Sequence, residues 1–598
     1  MDRIGDLWLS FGAAAADAAT GVAGRTGAEW TALATGATWR LRGQAPAPGW
    51  RGWPLRTGRV GPQRFWLLGE LFGTADPAGL VAEVLAGKTE AGRMNGRFLL
   101  WAWDEAAQEW GLWSDRFGTL HAYHAAPSDG GAARAALSTF FPAAAQAGRR
   151  RLDWEGLTSF FHYGLFLQDR TFYDDTRILR PASHYRFDGH GRRLAHTPTW
   201  QWRHAPDYGR SYADTVDEFA HHLGQVVREQ AGRGRALLPL SGGLDSRSLA
   251  AALGPAARDG GVRSYAYGYT PDSVETAVAR RVAQAAGLPF QAYTLPPTLF
   301  DQLPHVTACL EGFQDVTQAR QAGIVAQLAG QADAILGGHL GDLWLDDMGL
   351  DGAAARSAAQ LLGQAQQKMA KGGRRWLLEQ LCRPQLGGAA PEEVAHGLLA
   401  EELARLPAIA EADFRLKALK VTQWVFRWTN ASLRMFQPAA WVRLPFYDAR
   451  LADFFSSVPT AYLRGRRLQI DYLKRYAPAL ARVPWQAYDA DLYHYQQFHS
   501  WRLPRRALKK GGRALAQRLL GKPPVIERNW EAQFLIPGGR RALAQRLLAP
   551  GLRLHEFVAP TAVDRLLSDF YAAPQAGKRG YTVAMLLSFG AWLEAVHG

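Results

Sequence analysis

Cysteine is almost missing from this chain of 598 residues, which carries only Cys309 and Cys382. Two thiols far apart in sequence, without metal-ligand spacing, exclude a disulfide scaffold and a zinc finger. Long apolar runs are missing too. Nothing approaches the ~18 residues that a spanning helix needs, so no membrane partner is expected. The apolar stretch 7–16 is led by Asp2, Arg3 and Asp6. It lacks the positive leading region of a secretory signal, so the expected location is cytoplasmic. Acidic residues are the minority, 54 against 69 Lys and Arg, for a formal charge of +15. That balance favours anions such as nucleotides or acidic peptides, and it also serves plain solubility. No basic run interleaved with aromatics forms a nucleic-acid stripe, so no nucleic acid is expected. A Walker loop is absent as well. The one Gly-Lys-Thr, at 87–89, has Ala82 where the first glycine should stand.

What is present is an ordinary globular composition, 47% hydrophobic, in a chain long enough for about two to four domains. The region up to about residue 130 reads as short strands and turns. Residues 128–151 are rich in Ala, Gly and Arg and read as a surface connection. Further on, 214–229 has helical apolar spacing, 235–254 reads as strand, loop and helix, 262–269 as a strand, 273–286 as a helix and 332–336 as a third strand. Alternating strands and helices predict an α/β fold with a doubly wound parallel sheet. The heptapeptide ALAQRLL occurs at 514–520 and 542–548, and two copies in a basic tail read as surface helices rather than a solenoid.

The sharpest feature is the apolar run 236–240, ending in Leu240, followed by Ser241-Gly242-Gly243-Leu244-Asp245-Ser246. Glycines allow close backbone approach to a ligand. Free N–H groups at a helix start, with serine hydroxyls, suit a polyphosphate. An aspartate beside such a loop is suited to Mg²⁺, which bridges phosphates.

The full string resembles the PP-loop of ATP pyrophosphatases, which cleave ATP between the α and β phosphates. Downstream segments narrow the resemblance to the asparagine synthetases. Ser273 and Glu275 open a helix where that family carries an acidic residue near the nucleotide. Ile335-Leu-Gly-Gly-His-Leu-Gly-Asp342 is similar to its second glycine-rich loop, and Arg443-Leu-Pro-Phe-Tyr-Asp448 to its Arg-x-Pro-Phe-Leu-Asp segment. By this resemblance Leu240, Ser241, Gly242, Gly243, Asp245, Ser246, Tyr267, Glu275, Gly337 and Gly338 bind ATP. Asp245 and Asp342 are the catalytic pair and hold Mg²⁺. Leu68-Gly-Glu-Leu-Phe72, Asn95-Gly-Arg-Phe98, Trp103-Asp104, Ser114-Asp-Arg-Phe-Gly118 and Tyr123 resemble the family's glutaminase domain. The implied order is a degenerate glutaminase-like α/β sandwich over 1–150, a synthetase domain over 151–500 and a basic helical extension over 501–598.

Several positions depart from the family pattern. The family's glutaminase uses an N-terminal cysteine activated by its own amine, and here position 2 is Asp2. Leu68 stands where an oxyanion-stabilising asparagine belongs and has no donor to offer. Leu343 replaces a glutamate after Asp342, Trp441 replaces an acid before the Arg443 segment, and 485–497 contain no lysine. The resemblance with these departures implies adenylation of a carboxylate by ATP and attack by an amine other than glutamine-derived ammonia. Most similar is the lasso-peptide macrocyclase branch, with a peptide substrate and a leader-removing cysteine protease as partner. Amidation of another small molecule or polysaccharide precursor, and an inactive pseudo-synthetase scaffold, are the alternatives.

Overall fold

The computed structural model describes residues 2–12, 29–46, 52–126, 135–232, 234–254, 261–270, 273–350, 357–496, 529–574 and 579–597. The first copy of ALAQRLL lies outside the described residues; the second falls largely within the helix Gly539–Leu547.

Two antiparallel sheets are built from the first 198 residues. The larger runs in space as β1 (Asp2–Ile4), β5 (Trp53–Val60), β6 (Gln63–Leu71), β7 (Gly96–Asp104), β8 (Glu109–Ser114), β12 (Ser183–Asp188) and β13 (Arg193–Pro198). The smaller runs as β11 (Thr176–Ile178), β9 (Tyr123–Ala125), β10 (Ala136–Ser138), β2 (Leu7–Phe11), β4 (Trp39–Gln44) and β3 (Trp30–Thr35). Alternate residues of β6 and β7 face opposite ways, as the pleat requires. Trp66, Leu68, Leu99 and Trp101 join the core containing Leu7, Leu9 and Leu41 of the smaller sheet. Phe65, Leu67, Phe98 and Leu100 pack instead with Val81 and Val84 of the helix Pro77–Leu85. The sheets draw strands β11 to β13 from beyond residue 150. The Ala- and Gly-rich stretch read as a connection contains β10 and the buried helix Phe141–Ala145.

The third sheet is wholly parallel: β16 (Phe290–Thr294), β15 (Val262–Gly268), β14 (Ala236–Pro239), β17 (Ala334–Leu336) and β18 (Trp441–Arg443). The fold is therefore α/β, with helix Tyr212–Ala231 before its first strand and helices Asp245–Leu253 and Val274–Ala286 between its strands. The chain leaves β14 toward β15 on one side and returns through β17 on the other. Such a reversal opens a crevice at the carboxyl ends of the strands, where ligands of open α/β sheets bind. The C-terminal helices Pro560–Ala572 and Arg579–Trp592 share one core with Phe160, Phe172 and Phe313. Trp592 stacks on Phe172 with ring centres 3.7 Å apart.

The antiparallel sheets dock on the edge of the parallel one. Glu70 of β6 accepts two hydrogen bonds from the Arg443 guanidinium, at 2.9 and 2.8 Å. Asn95 Oδ1 accepts the Ala449 N–H at 2.8 Å, and Arg116 pairs with Asp453 at 2.7 Å. Trp53 and Trp441 meet edge to face at 4.3 Å. Trp441, which stands where the family pattern has an acid, is thus an interface residue. Trp485 is buried against Tyr488 and Tyr495.

Because the Glu70–Arg443 pair is bidentate and largely shielded, truncating either partner leaves the other charge poorly solvated. Glu70→Ala and Arg443→Ala should each cost about 2 kcal/mol, and the double variant clearly less than their sum. Calorimetric melting of the four proteins measures this. Additive losses would mean that the pair does not hold the docking.

Candidate active site

The loop after β14 is braced before it meets any ligand. Leu240 N–H donates to Tyr265 O at 2.7 Å, fixing the strand end. Ser246 Oγ accepts the Ser241 N–H at 3.1 Å and lies 3.2 Å from Ser241 Oγ, which accepts the Gly243 N–H at 3.2 Å. Helix Asp245–Leu253 starts at once, and Leu244 at its cap supplies no side-chain acceptor. Its first N–H groups are therefore left without a side-chain cap.

The glycines serve closeness rather than unusual dihedrals. Neither Gly242 nor Gly243 has a positive φ. A Cβ on Gly242 would lie 2.1 Å from Gln486 Oε1, and Gln486 N–H donates to Gly242 O at 3.3 Å. The loop 485–490, which lacks the family's lysine, thus covers the phosphate-type loop with a glutamine. The second glycine-rich loop leans on the first. A Cβ on Gly341 would lie 2.8 Å from Asp245 Cγ, and one on Gly338 3.3 Å from Ser246 N. Between them Leu340 takes φ +75°, a strained value for a residue with a side chain. The adjacent Gly337 is tied to β18 by its N–H, which donates to Arg443 O at 2.8 Å.

This convergence brings Asp245 and Asp342, 97 positions apart in sequence, into each other's field. Burial pushes Asp245 up, Arg466 pulls it back and Asp342 adds to the rise, leaving it at about 6. Asp245 Oδ1 accepts from Arg466 Nη1 and Gln469 Nε2, both at 3.0 Å. Arg466 also reaches Asp346 at 3.4 Å. No group of three or more His, Cys, Asp or Glu among the described residues could hold a metal alone. Two carboxylates that repel each other beside a hydroxyl-lined loop fit Mg²⁺, a hard cation that takes its remaining oxygens from phosphates and water.

Tyr267 and Glu275 also lie together, at the carboxyl end of β15 and in the first turn of the helix capped by Ser273. Between them the sequence reading missed Arg320, whose guanidinium lies 5.9 Å from the Tyr267 ring centre and in the fields of Tyr269 and Glu275. Tyr269, Thr298, Arg320 and Gln533 line an adjoining cleft. Arg466, Gln469 and Gln486 were missed as well. Each comes from a segment with no motif of its own, and only the basic helix start 464–467 hinted at a cation.

Leu68 is 1% exposed and packed in the core between the antiparallel sheets, with only aliphatic atoms to present. Asp2 begins β1 across from Leu55. Asp115 is enclosed and accepts N–H groups from Phe98 and Thr119 and the Thr119 hydroxyl.

Two glycine-rich loops meeting at the switch point of a parallel sheet occupy the place where open α/β folds take their ligands. A family model described as asparagine synthase matches residues 218–594, more than half of the chain, and the chain belongs to the asparagine synthase family. Solved structures matched include a glutamine phosphoribosylpyrophosphate amidotransferase from B. subtilis complexed with ADP and GMP, at 9% identity and TM-score 0.18, over 48% of this chain and 60% of that one. Another, described as the allosteric regulatory enzyme of purine biosynthesis, matches at 10% identity and TM-score 0.19, over 48% of this chain and 59% of that one. The chain covers less than two thirds of either. No curated protein matches it. No helix among the described residues is long and apolar enough to cross a membrane.

An aspartate whose native pKa lies above its ordinary value of 3.8 binds more protons folded than unfolded between the two. Its ionisation therefore weakens the fold as pH rises from about 4 to about 6. Asp245→Asn removes that cost. Without nucleotide or metal the variant should exceed wild type by about 1–3 kcal/mol near pH 7.5 and match it near pH 4. Melting curves across that range are the measurement. A difference that does not change with pH would discard the assignment.

Proposed function

We propose that the enzyme adenylates a carboxylate and joins it to an amine that does not come from glutamine, closing a macrolactam in a peptide of the lasso type. The observation that carries this reading is the meeting of Asp245 and Asp342 at one crevice with the Ser241–Ser246 loop. A substrate carboxylate oxygen attacks the α-phosphorus of ATP, the α–β bond breaks, and pyrophosphate leaves. The amine nitrogen then attacks the acyl carbon, AMP departs with the carboxylate oxygen, and the amine proton goes to solvent. Mg²⁺ held by Asp245 and Asp342 would supply charge neutralisation on the leaving pyrophosphate. The N–H groups of the loop and the start of helix Asp245–Leu253 bind the α-phosphate and its neighbours. Ser241 and Ser246 orient the loop. Gln486, seated on Gly242, closes it from one side, and Tyr267 with Glu275 borders the nucleoside end.

An amine that does not come from glutamine is favoured by the first sheet pair. Leu68 offers no donor for an oxyanion. The α-amine of the same peptide would satisfy the need by proximity alone, since holding it ~3 Å from the acyl carbon replaces a bimolecular encounter. A cysteine protease that removes a leader from the precursor is the partner this reading requires.

Asp245→Ala and Asp342→Ala should each reduce ATP-dependent pyrophosphate release at least about 100-fold, with melting curves showing a folded protein. A folded variant with wild-type turnover would remove that residue from the site. Glutamine should give no enzyme-dependent glutamate, and any such release would restore the glutaminase reading. A leader-free peptide with Asp or Glu several residues from its N-terminus should lose one water with ATP and Mg²⁺, with tandem mass spectrometry locating the new amide at the α-amine. Amidation of a small acid in place of any precursor peptide would overturn the macrocyclase assignment and leave the ligase.

A further inference from the structure

Arg247, the third residue of the helix Asp245–Leu253, is fully buried. Its guanidinium makes no ion pair among the described residues and turns to carbonyls instead. Nη1 donates to Leu480 O at 3.3 Å and to Val483 O at 2.8 Å, and Nη2 donates to Pro484 O at 3.0 Å. These carbonyls lie in and just beyond the short helix Pro478–Ala481, where a helix end leaves C=O groups to be satisfied from outside. A planar fork answers three of them at once, and the negative end of a helix favours a cation. A cation among carbonyls alone is still a costly thing to bury. Burial and the field of Arg281 accordingly hold Arg247 down to about 10.

What Arg247 holds is the root of the loop 485–490. Trp485 N–H donates to Ala490 O at 2.7 Å, so the loop closes on itself, and Asp489 takes φ +53° within it. Gln486 is the residue it sets on the phosphate-type loop. The Gln486 N–H donates to Gly242 O, and its side chain fills the space where Gly242 would carry a Cβ. The loop contains no lysine or arginine, so the group it offers to a phosphate is a neutral amide. The helix that follows Ser241–Ser246 is thus tied, by the side chain next to Ser246, to the cover lying over that same segment.

We propose that Arg247 is a positioning residue that seats the loop 485–490 on the phosphate-type loop, and that Gln486 is the group this loop presents to the pyrophosphate end of the nucleotide. The inference rests on the ATP reading above and names, within it, the residues that meet the leaving group. As the carboxylate oxygen bonds to the α-phosphorus, the electron pair of the α–β bond passes to the bridging oxygen and leaves with pyrophosphate. A side-chain amide donates to that product without adding a charge that would retain it.

The test titrates the full chain by calorimetry with magnesium pyrophosphate and, separately, with AMP, and follows hydrogen exchange of the amides 485–490. Gln486→Ala should weaken pyrophosphate at least about tenfold and leave AMP within about twofold. Arg247→Met, which keeps the stem, should do the same and also speed exchange at 485–490 at least about tenfold. Arg247→Lys, with one ammonium for three carbonyls, should fall between Arg247→Met and wild type. Wild-type pyrophosphate affinity in Gln486→Ala removes the amide from the site. Unchanged exchange in Arg247→Met removes Arg247 as its support. Equal weakening of pyrophosphate and AMP in Arg247→Met would mean a general loss of structure and also overturns the positioning role. If Arg247→Met does not fold, Arg247→Lys carries the same comparison. Pyrophosphate release from ATP is scored apart: its absence with both binding patterns as expected counts against adenylation and not against this assignment.

Discussion

One guanidinium joins the two halves of this molecule and the loop between them. Arg443 ends β18, the edge strand of the parallel sheet. Its side chain grips Glu70 of the antiparallel sheet and donates to Gln230 O at 2.8 Å, at the end of the helix leading into β14. Its own carbonyl accepts the Gly337 N–H, which starts the loop that carries Asp342. Arginine suits the position because its planar fork satisfies a carboxylate at two points and still has donors to spare. A lysine could make only one of these contacts well. Loosening this residue would shift the sheet edge, the helix before the phosphate-type loop and the second glycine-rich loop together.

That connection gives the N-terminal sheets a role needing no chemistry of their own. The segments that resemble a glutaminase are the ones that touch the parallel half: Glu70 on Arg443, Asn95 on Ala449, Arg116 on Asp453. Phe117 and Gly118 offer their carbonyls to Asn430 at 2.9 and 3.1 Å. From sequence alone such residues look catalytic, because a motif does not tell whether its side chains face a substrate or another part of the chain. Their partners lie more than 300 positions away, and only the fold brings them into register. Leu68 reads the same way at both levels, since an aliphatic side chain in a core position can serve packing and nothing else.

The parallel sheet was legible because its strands are short apolar runs punctuated by glycine, and its loops keep a specific spelling. Asp245, Asp342, Tyr267 and Glu275 could be picked out for that reason. β16 and β18 escaped notice: Phe290–Thr294 alternates with polar residues at an edge, and Trp441–Arg443 is only three residues long. Glycine's purpose was half legible. Gly242 and Gly341 are needed for the closeness of Gln486 and Asp245, not for a positive φ, and that distinction depends on what stands opposite. Arg320 and Arg466 were invisible for a simpler reason. A basic residue in an arginine-rich chain carries no local mark, and its importance lies wholly in having or lacking a counter-charge across the fold.

The charges themselves carry the last step. Folding normally matches buried ions with partners, because an unmatched ion in a poorly polarisable setting is destabilising. Here the carboxylates Asp245 and Asp342 lie in each other's field, and among the described residues Asp245 is opposed by Arg466. Two carboxylates held together in this way keep capacity for a cation from outside, and the instability they bring is the ordinary cost of keeping a site ready.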